Sequence, residues 1–215
     1  MVAESLKKLR SALPSGVELV AVSKFHPIER LMEAYNAGQR LFGENRPQEL
    51  AAKAPQMPAD VQWHFIGHLQ TNKLKLVLPY VTMVQSVDSF HLLEAINNWC
   101  AANSKTIDIL LELHLGAEET KSGFTEEEIL SVISAAELTN VRIRGLMGMA
   151  TNTDDMTVVE ADFARIEALF NKIKALGMPG FDQLSIGMSG DWPLAVRHGA
   201  TMVRIGTDIF GPREY

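Results

Sequence analysis

The chain has 215 residues, of which 47% are hydrophobic and 21% charged, with 15 glycines and 9 prolines. This composition is typical of one ordinary globular domain, residues 1–215, and excludes a disordered, collagen-like or coiled-coil chain. The 20 Lys and Arg against 26 Asp and Glu give a formal net charge of -6, so we expect no binding of nucleic acid or of an acidic membrane through bulk charge.

The N-terminal residues MVAESLKKLRSAL predict an amphipathic helix. Their lysines interrupt the apolar run that a signal peptide needs, and no other stretch approaches the ~20 apolar residues of a membrane span. Cys100 is the only cysteine of the sequence and has no partner for a disulfide within the chain, which fits a reducing compartment. We therefore expect a cytoplasmic protein.

Eight short apolar runs alternate with longer segments of helical period through the rest of the chain. The predicted strands are Glu18–Lys24, Arg40–Glu44, Trp63–Gly67, Met83–Asp88, Ile107–Leu115, Ile143–Ala150, Gln183–Ser189 and Met202–Phe210. The predicted helices are Pro27–Ala37, a segment after Asn45, Leu69–Leu78, Phe90–Ala102, a segment that begins at Thr125, and Met156–Leu176. The strands are apolar almost throughout, which is typical of a parallel sheet covered on both faces.

Eight strand–helix units after an extra N-terminal helix predict a small (β/α)8 barrel of the α/β class. A doubly wound open sheet has the same alternation, so periodicity alone leaves that fold open. In a barrel, functional groups lie at the carboxyl ends of the strands and in the loops that follow.

Two small-residue segments follow the last two predicted strands, Ser189-Gly190 and Gly206-Thr207. One such segment by itself is typical of an ordinary turn. Two of them at adjacent strand ends favour a phosphate site, because small residues let backbone N–H groups approach the anion.

Lys24 ends the first predicted strand, AVSK, and would enter the barrel mouth. Desolvation and positive neighbours would lower its pKa from about 10.4 and leave the neutral amine that Schiff-base chemistry requires. A solvated lysine is the alternative for Lys24 taken alone. Together with a phosphate site across the mouth, Lys24 indicates a phosphorylated aldehyde as the ligand.

Two further groups of side chains are candidates for binding. His64 and His68 have a spacing of four that binds metal on a helix, but WHFIGHLQ is typical of a strand followed by a turn, so no metal site is expected. Met147 and Met149, near the top of the sixth predicted strand, are placed where they can contact a planar ligand. The other methionines are typical of core filling.

Eight motifs in order resemble the pyridoxal-phosphate homeostasis proteins, single-domain relatives of the alanine racemase barrel. They are AVSKFHP, FGENRPQE, WHFIGHLQTNK, SVDS, EETKSGF, GLMGMA, LSIGMSGDW and VRIGTDIFG. The resemblance implies a fold-type III barrel that binds pyridoxal 5'-phosphate (PLP). Pro47 stands where the family pattern has an aliphatic residue and Asp208 where a small residue is commoner, while Gly190 and Trp192 occupy a variable stretch.

The resemblance also implies roles for individual residues. Lys24 matches the lysine that holds PLP as an internal aldimine, and Asn45 matches a pocket residue near the cofactor. Arg204 matches the arginine that faces the pyridine nitrogen. The phosphate cup is matched by Ser189, Gly190, Gly206 and Thr207.

The expected function is PLP homeostasis: the protein holds and supplies the cofactor, with effects on amino-acid and keto-acid balance and little catalysis of its own. An arginine beside the pyridine nitrogen keeps that nitrogen unprotonated and weakens the cofactor as an electron sink. Racemases of this barrel type take a tyrosine base from a second domain, for which a chain ending at Tyr215 leaves no room. We therefore expect a monomer, with apo PLP-enzymes as recipients.

Two other functions stay open at this point. A low-activity PLP-dependent racemase or lyase would need a second acid/base group near Lys24, for which His68 and Tyr215 are candidates. A barrel that handles phosphorylated sugars would have the phosphate site without PLP.

Overall fold

The structure is a computed structural model that describes residues 1–116, 122–135 and 138–212. The strands are β1 Glu18–Val22, β2 Leu41–Glu44, β3 Gln62–Phe65, β4 Met83–Val87, β5 Ile107–Leu113, β6 Val141–Gly148, β7 Gln183–Ser185 and β8 Met202–Ile205. The α-helices are α1 Val2–Ala12, α2 Ile28–Asn36, α3 Pro47–Lys53, α4 Leu74–Val77, α5 Phe90–Ala102, α6 Glu126–Ala135, α7 Met156–Lys174, α8 Trp192–Arg197 and α9 Thr207–Phe210.

The strands form a closed barrel in chain order. Each strand pairs in parallel with the next, and β8 pairs with β1, where Arg204 lies opposite Val20. The predicted (β/α)8 barrel is therefore confirmed, and the open sheet is wrong. The closure removes both sheet edges and gathers the carboxyl ends of all eight strands at one mouth.

The apolar residues form two cores. The larger core lies between the strands and the surrounding helices, and it includes Val2, Leu6 and Leu9 of the predicted N-terminal helix. The smaller core draws one residue from each of six strands and fills the barrel interior. Its members are Val20, Leu41, Met83, Leu110, Met147 and Met202.

The last two strands are shorter than predicted. β7 ends at Ser185 instead of Ser189, and β8 ends at Ile205 instead of Phe210. Ile209 and Phe210, the apolar residues of TDIF, belong to α9, and the Ile209 N–H donates to Gly206 O at 3.0 Å. Both residues are therefore buried by helix packing and not as part of a strand. The short helix α8 is not among the predicted elements; it has only six residues, too few for a clear helical period.

The first strand is also shorter than predicted, because β1 ends at Val22 and leaves Lys24 in the following loop. Within the described residues, no helix is both long enough and apolar enough to cross a membrane.

Candidate functional site

The predicted site residues lie at the carboxyl ends of neighbouring strands. Lys24 comes two residues after β1, Asn45 directly follows β2, and Gly206–Thr207 directly follows β8. β8 pairs with both β1 and β7, and the loop after β7 contains Ser189 and Gly190. The strand order therefore gathers these residues along one arc of the barrel mouth.

The backbone next to Lys24 has an uncommon conformation. Phe25 has a φ of 67°, in the left-handed region that non-glycine residues seldom adopt. Its N–H donates to Glu49 Oε2 at 2.9 Å, and its ring centroid lies 4.3 Å from the guanidinium carbon of Arg46. The start of α3 thus holds the residue that follows Lys24.

Lys53 of α3 is the centre of a buried ionic cluster beneath the same loop. Its Nζ lies 2.7 Å from Glu44 Oε1, 2.8 Å from Glu49 Oε2 and 2.9 Å from Ser23 O, and its side chain is only 9% exposed. The Ser23 hydroxyl donates to Glu44 Oε1 at 2.6 Å. Strand β2, helix α3 and the residue before Lys24 are therefore joined by charge-assisted hydrogen bonds.

The pKa values of the two carboxyl groups of this cluster are shifted in opposite directions. Burial raises the pKa of Glu44, although Lys53 and Ser23 oppose the shift. Burial also acts to raise the pKa of Glu49, but hydrogen bonds from Lys53 and Phe25 outweigh it and hold that pKa below its usual value. Glu49 is thus a firmly ionised partner for Lys53.

Arg204 lies inside the barrel on β8, 5% exposed. Its Nη1 donates to Ser185 O at 2.8 Å and to Ser185 Oγ at 2.7 Å, and its Nη2 donates to Gly148 O at 2.9 Å. Burial lowers the pKa of Arg204 to about 10, with Glu112 and Asp191 opposing the shift. The guanidinium therefore stays charged at neutral pH in a fixed orientation.

Neutral side chains continue the contacts of Arg204 across the barrel. Ser185 Oγ donates to Gln85 Oε1 at 2.6 Å, and Gln85 Nε2 lies 2.8 Å from His64 Nδ1. Since the amide nitrogen can only donate, His64 Nδ1 accepts. Burial lowers the pKa of His64 to about 4, so this imidazole is neutral and the chain from β8 to β3 carries no charge besides that of Arg204.

Glu112 is a buried acidic residue of the site whose pKa lies near neutral pH. It lies on β5, 4% exposed, and burial, together with the nearby charge of Asp88, raises its pKa to about 7 while Arg204 opposes the shift. His68 Nδ1 lies 2.9 Å from Asp88 Oδ2, with the His68 side chain 63% exposed. Asp88 thus interacts both with the exposed His68 and with the buried Glu112, and Glu112 in turn interacts with Arg204.

The loop between β7 and α8 carries Ser189 and Gly190. Gly187 has a φ of 95°, and a Cβ there would lie 2.7 Å from Ala195 Cβ, so this position requires glycine. Asp191 Oδ1 accepts from Met188 N at 2.5 Å and closes the loop. Gly187 O accepts from Arg204 N at 2.9 Å, so the start of this loop is bonded to β8.

Asn45 and Met147 have different surroundings. Asn45 Oδ1 is buried and has no hydrogen-bond partner among the described residues, so a ligand donor could pair with it. Met147 is fully buried in the smaller core and lies opposite both Glu112 and Ser185 in the strand pairing. Met147 therefore lies in the barrel interior, level with the polar side chains around Arg204.

Several side chains of the site are not among those predicted from the sequence. They are His64 as a hydrogen-bond acceptor, Gln85, Glu112, Ser185, Glu49 and Lys53. Gln85 and Glu112 each follow an interior residue, Met83 and Leu110, by two positions. Since alternate strand residues face the same side, that spacing was a usable signal for polar groups inside the barrel.

The remaining candidates from the sequence are the base Tyr215, the motif EETKSGF and the histidine pair His64 and His68. Tyr215 and residues 118–121 of the motif EETKSGF lie outside the described residues. Among the residues that the structure does describe, no group of three or more His, Cys, Asp or Glu side chains could hold a metal ion. His64 is bound to Gln85 inside the barrel, whereas His68 is exposed and paired with Asp88.

Known proteins resemble this chain in both sequence and structure. A sequence profile of the family "Alanine racemase, N-terminal domain" matches residues 2–214. The pyridoxal phosphate homeostasis protein of Vibrio alginolyticus is 38% identical over 208 residues, covering 94% of this chain and 89% of that protein. Two structures of PipY from Synechococcus elongatus PCC7942, one without PLP and one with PLP bound, have TM-scores of 0.94 and 0.91 at 37% identity. Each covers 98% of this chain and 100% of the other, so the similarity extends over nearly the whole of both.

Proposed function

Since the chain belongs to the pyridoxal phosphate homeostasis protein family, built on the barrel of the alanine racemase N-terminal domain, we propose that it binds PLP and acts in the homeostasis of that cofactor. The observation that carries the proposal is the buried, charged Arg204, fixed by three hydrogen bonds at the mouth, on the strand that pairs with the one before Lys24.

The residues present can be matched to the phosphate, the pyridine nitrogen and the aldehyde of PLP. The phosphate is assigned to the loops of Ser189-Gly190 and Gly206-Thr207, which follow adjacent strands. The pyridine nitrogen is assigned to Arg204, whose positive charge disfavours a proton on a nitrogen beside it. The binding residues also include Met147 and Asn45, whose buried oxygen has no hydrogen-bond partner in the part of the chain that the structure describes.

The aldehyde of PLP is assigned to Lys24. Bound there, PLP would supply an aldehyde carbon that the Lys24 amine would hold covalently, with loss of one water and no need for an oxidant or a reductant. The same bond can be exchanged for an imine to another amine, which would release the cofactor to a recipient.

The protein holds and supplies PLP with little catalysis of its own, which affects amino-acid and keto-acid balance. This role is supported by the names of the relatives, which do not favour the racemase or lyase alternative. Apo PLP-enzymes are the recipients. The protein works as a cytoplasmic monomer in which residues 1–215 form one domain.

The first experiment compares wild type with Lys24→Ala and with Lys172→Ala, an exposed lysine of α7. After loading with PLP and dialysis, wild type and Lys172→Ala should show a yellow imine absorption band. Borohydride reduction followed by peptide mapping should place the reduced PLP on Lys24. A colourless wild type that cannot be loaded would contradict the proposal.

A second experiment separates supply from catalysis. Deuterium exchange at the α-carbon of several amino acids should stay near background with the loaded wild type, whereas an apo-enzyme should gain PLP faster from the loaded protein than from the same total PLP free in solution. Rapid exchange that Lys24→Ala abolishes would replace the carrier role by an enzymatic one.

A further inference from the structure

The two residues that flank Lys24 are both held by helix α3. On one side, Lys53 Nζ donates to Ser23 O at 2.9 Å. On the other side, Glu49 Oε2 accepts from Phe25 N at 2.9 Å. Lys53 and Glu49 are themselves paired at 2.8 Å, so one ion pair grips the chain immediately before and immediately after the lysine.

The hydrogen bonds to Glu49 and from Lys53 hold a strained backbone conformation at Phe25. Phe25 is held at a φ of 67°, a backbone conformation that is strained for a non-glycine residue. Backbone strain of this kind is found mostly at functional sites. A glycine would adopt this angle freely but would lack the ring that packs against Arg46. The strained residue directly follows Lys24, so the conformation of Phe25 constrains the backbone from which the Lys24 side chain extends.

Burial makes the grip rigid. Lys53 is 9% exposed and Glu44 is fully buried, while Glu49 is 22% exposed. The Arg46 guanidinium lies over the Phe25 ring and also 3.7 Å from Glu49 Oε1. The backbone N–H and the ring of Phe25 are therefore both fixed from the first turn of α3.

We propose that Glu49 and Lys53 are positioning residues for Lys24: their ion pair fixes the Ser23–Phe25 backbone so that the lysine amine meets a carbonyl carbon in the barrel mouth. The inference rests on the proposed function, because it assigns the aldehyde of PLP to Lys24. Neither residue contacts the ligand in this role. Their contribution is to covalent capture and not to recognition of the phosphate or the ring.

The test compares PLP with pyridoxine 5'-phosphate, which has the same ring and phosphate but an alcohol in place of the aldehyde. Binding of both is measured by titration calorimetry, and the covalent fraction by absorbance and borohydride fixation. The variants are Glu49→Ala, which removes the acceptor of Phe25 N–H, and Glu49→Gln, which keeps a side-chain oxygen there. Glu167→Ala is the matched control, since Glu167 is a partly buried carboxylate paired with His198 at 2.7 Å in another part of the fold.

In Glu49→Ala, we expect the affinity for PLP to fall at least tenfold while the affinity for pyridoxine 5'-phosphate stays within twofold of wild type. Glu49→Gln should lose less than threefold in PLP affinity, and the control should lose nothing. Equal losses for both ligands, or no loss for PLP, would overturn the positioning role. If wild type itself fixes no PLP on Lys24, the proposed function fails first and takes this inference with it.

Discussion

On the β1–β2 side of the barrel mouth, the neighbours of Lys24 are held by charged groups, whereas on the β7–β8 side Arg204 is held by neutral ones. Lys53 and Arg46 face the carboxyl groups of Glu44 and Glu49 at distances of 2.7 to 3.7 Å, so two cations stand against two carboxyl groups. Arg204 instead bonds to two backbone oxygens and the Ser185 hydroxyl. The first arrangement fixes geometry and adds little net charge to the mouth; the second leaves a positive charge available to a ligand.

The largest effect should come from breaking the charged side. Lys53→Met would leave Glu44 and Glu49 without their buried partner, which costs about 3–5 kcal/mol of unfolding free energy. Urea unfolding at pH 7 measures the loss. The control, Arg165→Met, removes an exposed ion pair with Glu126 and should cost about 0–1 kcal/mol. Equal losses in the two variants would show that the cluster is not a buried network.

The next effect concerns Glu112, one of the two acidic groups whose charges act on Arg204. Because the folded pKa of Glu112 is raised to about 7, its contribution to stability is fully present below its ordinary pKa of 4.5 and is lost as pH rises through 7. Between pH 5 and pH 8, the unfolding free energy of wild type should therefore fall by roughly 2–3 kcal/mol relative to Glu112→Gln, at about 1.4 kcal/mol per pKa unit.

Glu94→Gln, a change at an exposed position of α5, is the control for that titration. Its unfolding free energy should run parallel to that of wild type over the same pH range. If Glu112→Gln also runs parallel, Glu112 does not titrate in this window.

Much of this arrangement was accessible from the sequence and some of it was not. The alternation of apolar runs and helical segments predicts the barrel, because that pattern reports burial of each strand on both faces. The same pattern places the end of β8 too late, because Ile209 and Phe210 are apolar for helix packing and a local pattern cannot distinguish a buried helix residue from a buried strand residue.

The supports of the site were missed for another reason. Lys53 and Glu49 have the ordinary i,i+4 spacing of a solvated helix pair, and only the fold shows that the Lys53 side chain is 9% exposed beneath the Lys24 loop. The network from Ser185 to Gln85 joins residues 100 positions apart, which no local motif reports. Motifs predict the residues proposed to touch the ligand, but the residues that hold them depend on tertiary contacts.

A smaller effect tests whether the buried His64, on the side of the barrel that holds Arg204, is uncharged at neutral pH. Its folded pKa is lowered from 6.5 to about 4, so its contribution to stability is present above pH 6.5 and is lost as pH falls through 4. Wild type should lose roughly 2 kcal/mol of unfolding free energy between pH 6.5 and pH 4.5 relative to His64→Asn, whose amide oxygen accepts from Gln85 and does not titrate. Parallel acid limbs in denaturant titrations would contradict a neutral, buried imidazole.

The smallest effect should come from the hydroxyl that joins Arg204 to Gln85. Ser185→Ala removes one acceptor of Arg204 Nη1 and the donor to Gln85 Oε1, but Arg204 keeps its bonds to Ser185 O and Gly148 O. The expected loss is about 1–2 kcal/mol of unfolding free energy, because two hydrogen bonds are removed and the buried Gln85 Oε1 loses its Ser185 donor. Ser134→Ala, which removes an exposed hydroxyl bonded to Leu130 O, should cost less than that.

Comparing the loss in Ser185→Ala with that in Lys53→Met decides whether the two sides differ in kind. A neutral network that loses one member can relax onto its remaining bonds, whereas a buried ion pair that loses one member keeps an uncompensated charge. Urea unfolding of both variants at one pH should therefore show a loss on the charged side at least twice that on the neutral side. If Ser185→Ala costs as much as Lys53→Met, Arg204 depends on its hydroxyl partner as strongly as the carboxylates depend on Lys53, and the contrast between the two sides does not hold.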